Sequence, residues 1–161
     1  MPRGLGRTLP AELAAALDGR RLPERVGDTY LLVTTSEAGW PHVAMLSAGE
    51  VLAVGEAALR LGLWPGTGST ENLTRSGRGL LLAIRPPATY RLRLSCRALG
   101  EVPVEDRRLA AFDAAVEEVL EDVVRYARVT GAIRFELVDP PRVLAHWEAA
   151  IAALRGARAL P

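Results

Sequence analysis

The chain of 161 residues contains no lysine, no glutamine, one asparagine, one cysteine and two histidines. Without lysine there is no Schiff-base amine and no P-loop. The single Cys96 excludes an internal disulfide and fits a reducing, cytoplasmic compartment. His42 and His146 are too far apart in sequence to build a zinc site, so no metal is expected. The N-terminus lacks the continuous apolar core of a signal peptide, and no apolar run is long enough to cross a bilayer; no membrane partner is expected. All twenty cations are arginine and nineteen acids balance them to a formal charge of +1, which argues against nucleic acid as a partner. The pairs Arg20-Arg21 and Arg107-Arg108 read as solvated faces.

What the chain does have is enough length for one domain, able to bury roughly 70% of its unfolded surface, and one distinctive stretch from Leu59 to Ile84. There two apolar, strand-like runs bracket a turn in which Thr67, Ser69 and Thr70 crowd beside Gly66 and Gly68. Either Ser69 or Thr70 can cap a short helix over Glu71 to Ser76, closed by Gly77. Free N–H groups at a helix start, with the positive end of its dipole, favour an anion such as a phosphate. The only asparagine, Asn72, falls in the first turn, and Arg75 and Arg78 are the nearest cations in sequence.

Around this stretch the pattern predicts a helix over Pro10 to Leu17 and a strand over Thr29 to Glu37. A hairpin partner follows over Trp40 to Ser47, then strands at Val51 to Val54 and Leu59 to Trp64 in meander order. Gly79 to Ile84 is a further strand, and Thr89 to Leu99 alternates Tyr90, Leu92, Leu94 and Cys96 against Arg91, Arg93, Ser95 and Arg97. From Glu105 to Val124, Leu109, Phe112, Val116, Val119, Leu120 and Val123 fall at helical spacing with acids opposite, which predicts an amphipathic helix. A last strand is expected over Ala132 to Val138, a last helix over Leu144 to Leu154, and a loose tail, RGARALP. The sum is an α+β domain whose antiparallel sheet curls into a barrel. It is read as one domain over 1–161, with an N-terminal helix and link over 1–28, a barrel core over 29–99, and the remaining elements over 100–161.

The order TTSEAGWPHVAMLS, then LRLGLWPGTGSTENLTRSGRG, then a long alternating strand resembles the FMN-binding split barrel of the pyridoxamine 5'-phosphate oxidase-like superfamily. The resemblance covers about Thr29 to Leu99, with a looser echo in DPPRVLAHWE. It implies an antiparallel six-stranded split β-barrel with peripheral helices, forming a homodimer with FMN sites at the interface. Carried over, Met45, Leu46 and Ser47 would contact the ring or ribityl chain and Leu63 and Trp64 would flank it. Thr67, Ser69, Thr70 and Asn72 would hold the phosphate end. The lysine or arginine common near Ser69 in this pattern is missing, so either affinity would be lower or Arg75, Arg91 or another arginine would substitute. The ending ALRGARALP lacks the basic and histidine motif that grips vitamin B6 in the true oxidases, so that reaction is not expected.

Several side chains carry a second reading. Pro65 holds Trp64 extended, where its ring either packs in the core or covers a planar cofactor. Met45 is a core candidate as well. His42 reads as structural, with proton transfer to flavin or haem ligation as its functional alternative, His146 as a partly exposed packing residue, and Cys96 as a buried, inert thiol. Tyr126 and Arg128 lie in a polar link that could reach a neighbouring subunit. No nucleophile, base and acid constellation stands out, which suits an FMN-dependent oxidoreductase acting on a small redox substrate. The alternatives are a flavin-binding or sensor module without turnover, and a split barrel that binds deazaflavin F420 or haem.

Overall fold

The computed structural model describes residues 1–158, and the last three residues of the tail lie outside the described residues. In chain order the elements are β1 (Arg3–Gly4), α1 (Ala11–Ala16), a 3-10 turn (Leu22–Arg25), β2 (Tyr30–Thr35), β3 (Pro41–Leu46), β4 (Val51–Gly55) and β5 (Ala58–Leu63). They continue with α2 (Gly68–Ser76), β6 (Arg78–Arg85), β7 (Ala88–Val104), β8 (Arg107–Asp122) and α3 (Pro140–Gly156). All strands join one antiparallel sheet in the order β3-β2-β6-β7-β8-β5-β4, with β1 added beside β8. The strand count is therefore eight rather than six, and the architecture is the expected α+β split barrel.

The order is not the meander that the sequence suggested, because β3 and β4 are successive in the chain yet occupy opposite edges. Laid flat, six interstrand gaps would separate them by about 29 Å. Five Cα steps from Leu46 to Val51 reach at most about 18 Å. The sheet must curl until its two edges face each other, and the Ser47 to Glu50 turn bridges the split. The backbone N–H and hydroxyl of Ser47 both donate to the Glu50 carboxylate, at 2.7 and 2.8 Å. Inside the barrel Tyr30, Leu32, Leu59, Leu61, Leu81 and Leu92 are buried. A second core, with Leu52, Trp147, Ile151 and Leu154, seats α3 on the outer side of the sheet.

The segment read as an amphipathic helix is the long strand β8, and burial of both its faces together with an irregularity in its pairing with β7 explains the misreading. Register shifts fall between Ala98 and Gly100 and between Arg93 and Leu94. Leu109 and Ala111 pack towards α3, Phe112, Ala114 and Val116 alternate into the barrel, and the shift at Arg93/Leu94 brings Val119 to the barrel side. The large buried residues are thus spaced three, four and three and imitate a helix. Of the acids that looked like a helix's polar face, Glu118 instead pairs across the ladder with Arg93 at 2.6 Å and Asp122 with Arg91 at 3.6 Å. The expected strand over Ala132 to Val138 is also corrected. That segment has no ladder partner and is an irregular strap, fixed by Phe135 packing edge-on against Trp147 and by Arg134 bonding the Val26 carbonyl. Arg155 and Gly156, placed in the tail by sequence, complete α3, and Ala157 is buried.

Candidate functional site

The corner from β5 into α2 is built by local chemistry. Pro65 and Gly66 (φ 71°) break the strand, and Thr67, in extended backbone, caps a helix that starts at Gly68, three residues earlier than expected. Neither Ser69 nor Thr70 is the cap. The Thr67 hydroxyl accepts from the Thr70 N–H, the Thr67 N–H donates to the Thr70 hydroxyl at 3.0 Å, and that hydroxyl donates to the Thr67 carbonyl at 2.7 Å. This reciprocal box consumes both threonine hydroxyls. At the far end Gly77 closes the helix at φ 63°, as the sequence indicated.

Ser69 is different. It is 3% exposed, and its hydroxyl is one of two buried side-chain polar atoms without a hydrogen-bond partner among the described residues. The N–H groups of Gly68 and Ser69 precede the first intrahelical bond, which Glu71 donates to the Thr67 carbonyl, so they too lack helical acceptors. The imidazole of His42 on β3 lies against Gly68, where a Cβ would come within 3.1 Å of its Cε1. A side chain at position 68 would therefore displace the ring from the helix start. Sequence reading left His42 outside the cofactor set; the signal was its parity with Ala44 and Leu46, the positions of β3 that turn away from solvent.

The other anticipated residues divide. Trp64 stays at the corner, its carbonyl accepting from the Thr67 hydroxyl at 3.1 Å, and Ser47 lines a cavity of about 260 Å³ with it. Met45 stands exposed on β3 beside Val43. Leu46 and Leu63 are core side chains, 4% and 3% exposed. Asn72 is buried and donates to the Thr34 hydroxyl at 3.0 Å, tying α2 to β2. Arg75, in the last turn of α2, bonds the Thr35 carbonyl, and Arg91 pairs with Asp122. The structure therefore brings neither arginine to the start of α2, and His42 is the basic group it brings there.

Trp64 is not simply packed. His146 of α3 stacks parallel to it, with centroids 5.8 Å apart and planes 9° apart, and the Arg107 guanidinium lies 5.4 Å from its centroid. Arg107 is thus engaged rather than a freely solvated charge, while Arg108 pairs with Glu101. Nearby, burial pushes the Glu50 carboxyl above the usual carboxylate range, against the lowering effect of its Ser47 bonds. Cys96 is buried, and burial alone pushes its thiol up to about 12, the inert state expected.

Sheet order, split and helical corner together define a split-barrel fold. Among solved structures, a "putative pyridoxamine 5'-phosphate oxidase" from Lactobacillus delbrueckii superposes with a TM-score of 0.58 at 17% identity, covering 73% of this chain and 98% of that one. HupZ of Group A Streptococcus gives 0.55 at 11% identity, over 76% and 99%. No family model matches the sequence. Over 132 residues the chain is 36% identical to YclD of Bacillus subtilis (strain 168), covering 82% of this chain and 86% of YclD. The chain belongs to the family of YclD.

Proposed function

We propose that this chain is an FMN-binding flavoprotein, an FMN-dependent oxidoreductase acting on a small molecule. The Ser69 hydroxyl carries the reading: it is buried and unpartnered at the start of a nine-residue helix, beside two N–H groups without helical acceptors. A phosphate monoester offers acceptors to all three. Each charge-assisted bond contributes about 1.5–3 kcal/mol, and the helix dipole adds attraction that does not depend on a lysine. When bound, FMN supplies hydride or single-electron transfer.

The chain's own contribution is position. Ser69 and the first N–H groups of α2 hold the phosphate end, with His42 beside them in place of the missing cation. Val43 and Met45, 55% and 60% exposed along the edge strand β3, offer apolar surface for the ring. Together with Trp40 they form a patch whose burial favours a homodimer with the two sites at its interface.

The test is direct. Purified protein is expected to be yellow, or to quench the fluorescence of added FMN saturably, and to sediment as a dimer. Colourless protein that leaves FMN fluorescence unchanged overturns the reading. With NADH or NADPH and an oxygen, quinone or dye acceptor, turnover supports the oxidoreductase, whereas flavin that stays oxidised reduces the activity to binding.

A further inference from the structure

Trp64 also borders a second space, away from the start of α2. A cleft of about 420 Å³ lies between the β7–β8 turn (Glu105, Asp106), Arg107, the strap at Glu136 to Asp139 and the start of α3. It shares Trp64, Val143 and His146 with the smaller cavity that Glu50 and Ser47 line. Its volume falls within the range of small-ligand sites, about 300–1,000 Å³.

Three features specify a ligand. The first is cationic: Arg107 is stacked on Trp64 and Arg142 stands on α3, and among the described residues neither guanidinium makes an ion pair. A guanidinium lying on an indole keeps its N–H groups directed outward in plane, ready for a carboxylate. The second is apolar: Leu137 and Val143 are half-buried in the wall, and Val138 beside them is fully exposed. The third is a hydrogen-bonding ring nitrogen. His146 Nδ1 is 2.9 Å from the Glu105 carboxylate, which orients the ring, and Nε2 has no protein partner among the described residues. Glu105 occupies a left-handed backbone conformation at φ 53°, which costs a non-glycine residue energy and fixes where its carboxylate stands. Glu105, Asp106, Glu136 and Asp139 also line the cleft and repel a second negative charge.

We propose that this cleft binds an aromatic monocarboxylate carrying a hydroxyl or amino substituent, at a site separate from the start of α2. Arg107 and Arg142 take the carboxylate, Leu137 and Val143 the ring, and His146 Nε2 hydrogen-bonds the substituent. The site does not depend on the flavin reading, because every group in it belongs to this chain and is in place without a cofactor.

The experiment titrates the full chain, with and without saturating FMN, with 4-hydroxybenzoate and with the neutral 4-hydroxybenzamide. Indole fluorescence and the Trp64 indole N–H resonance, assigned through Trp64→Phe, report binding. The acid is expected to bind at least tenfold more tightly than the amide, equally in both forms of the protein. Arg107→Met with Arg142→Met is expected to remove the preference without lowering the melting temperature; if the double variant fails to fold, each single variant is expected to show a partial loss. Absence of binding at millimolar acid, equal binding of the amide, a preference that survives in these variants, or displacement by FMN overturns the assignment.

Discussion

The outer face of β7 and β8 and the corner between β5 and α2 are both polar, yet they treat their polar groups in opposite ways. On the sheet face Arg91, Arg93 and Arg97 each find a carboxylate, in Asp122, Glu118 and Asp113. At the corner Ser69 finds nothing, and Arg107 lies on an aromatic ring rather than on an acid. A fold needs its buried polar groups satisfied, and the unsatisfied Ser69 hydroxyl is what supports the proposed phosphate site. The contrast separates architecture from site without reference to residue type, since arginine and hydroxyl side chains serve both regions.

The largest effect sharpening the contrast lies beneath the sheet face. Leu92, fully buried on the inner side of β7, supports both regions. Leu92→Ala is expected to cost about 2–5 kcal/mol in urea unfolding, lowering stability without selectivity for the site. Thr67→Ala removes the cap that shapes the corner, and about 1 kcal/mol is expected to be lost. FMN affinity is expected to fall with it, because the leading N–H groups lose their fixed direction. The smallest effect belongs to the paired charges. A double-mutant cycle on Arg93 and Glu118, both partly exposed, is expected to return under about 1 kcal/mol and to leave FMN binding unchanged. A strong effect of that pair on FMN affinity would break the distinction between the two faces.

Much of the architecture was legible in sequence. The alternation from Tyr90 to Cys96 placed four buried side chains correctly, and the hydroxyl-rich turn after Trp64 announced a capped helix. Strand β8 was not legible, because it is buried on both faces and shifted in register once, which leaves its large buried residues at helical spacing, and its alanines suit either element. The arginines of the strand before it were the overlooked clue, since three cations on one strand face call for acids on a neighbouring strand. The strap at Ala132 to Val138 has a strand's composition but no free ladder beside it. At the site, Thr67, Ser69 and Thr70 were visible as a group, while the division of labour among them depends on which residue adopts extended backbone. The approach of His42 to Gly68 and of His146 and Arg107 to Trp64 are tertiary contacts, and spacing along the chain does not encode them.

The central claim is that Ser69 waits for a phosphate. Ser69→Ala tests it better than Ser69→Glu, because a carboxylate at a position 3% exposed would be buried and would confound folding with binding. FMN affinity, measured by fluorescence quenching alongside thermal unfolding, is expected to fall at least tenfold, about 1.4 kcal/mol, while the melting temperature holds or rises as an unpartnered hydroxyl is removed. Unchanged FMN affinity, or a loss of stability in its place, would contradict the claim.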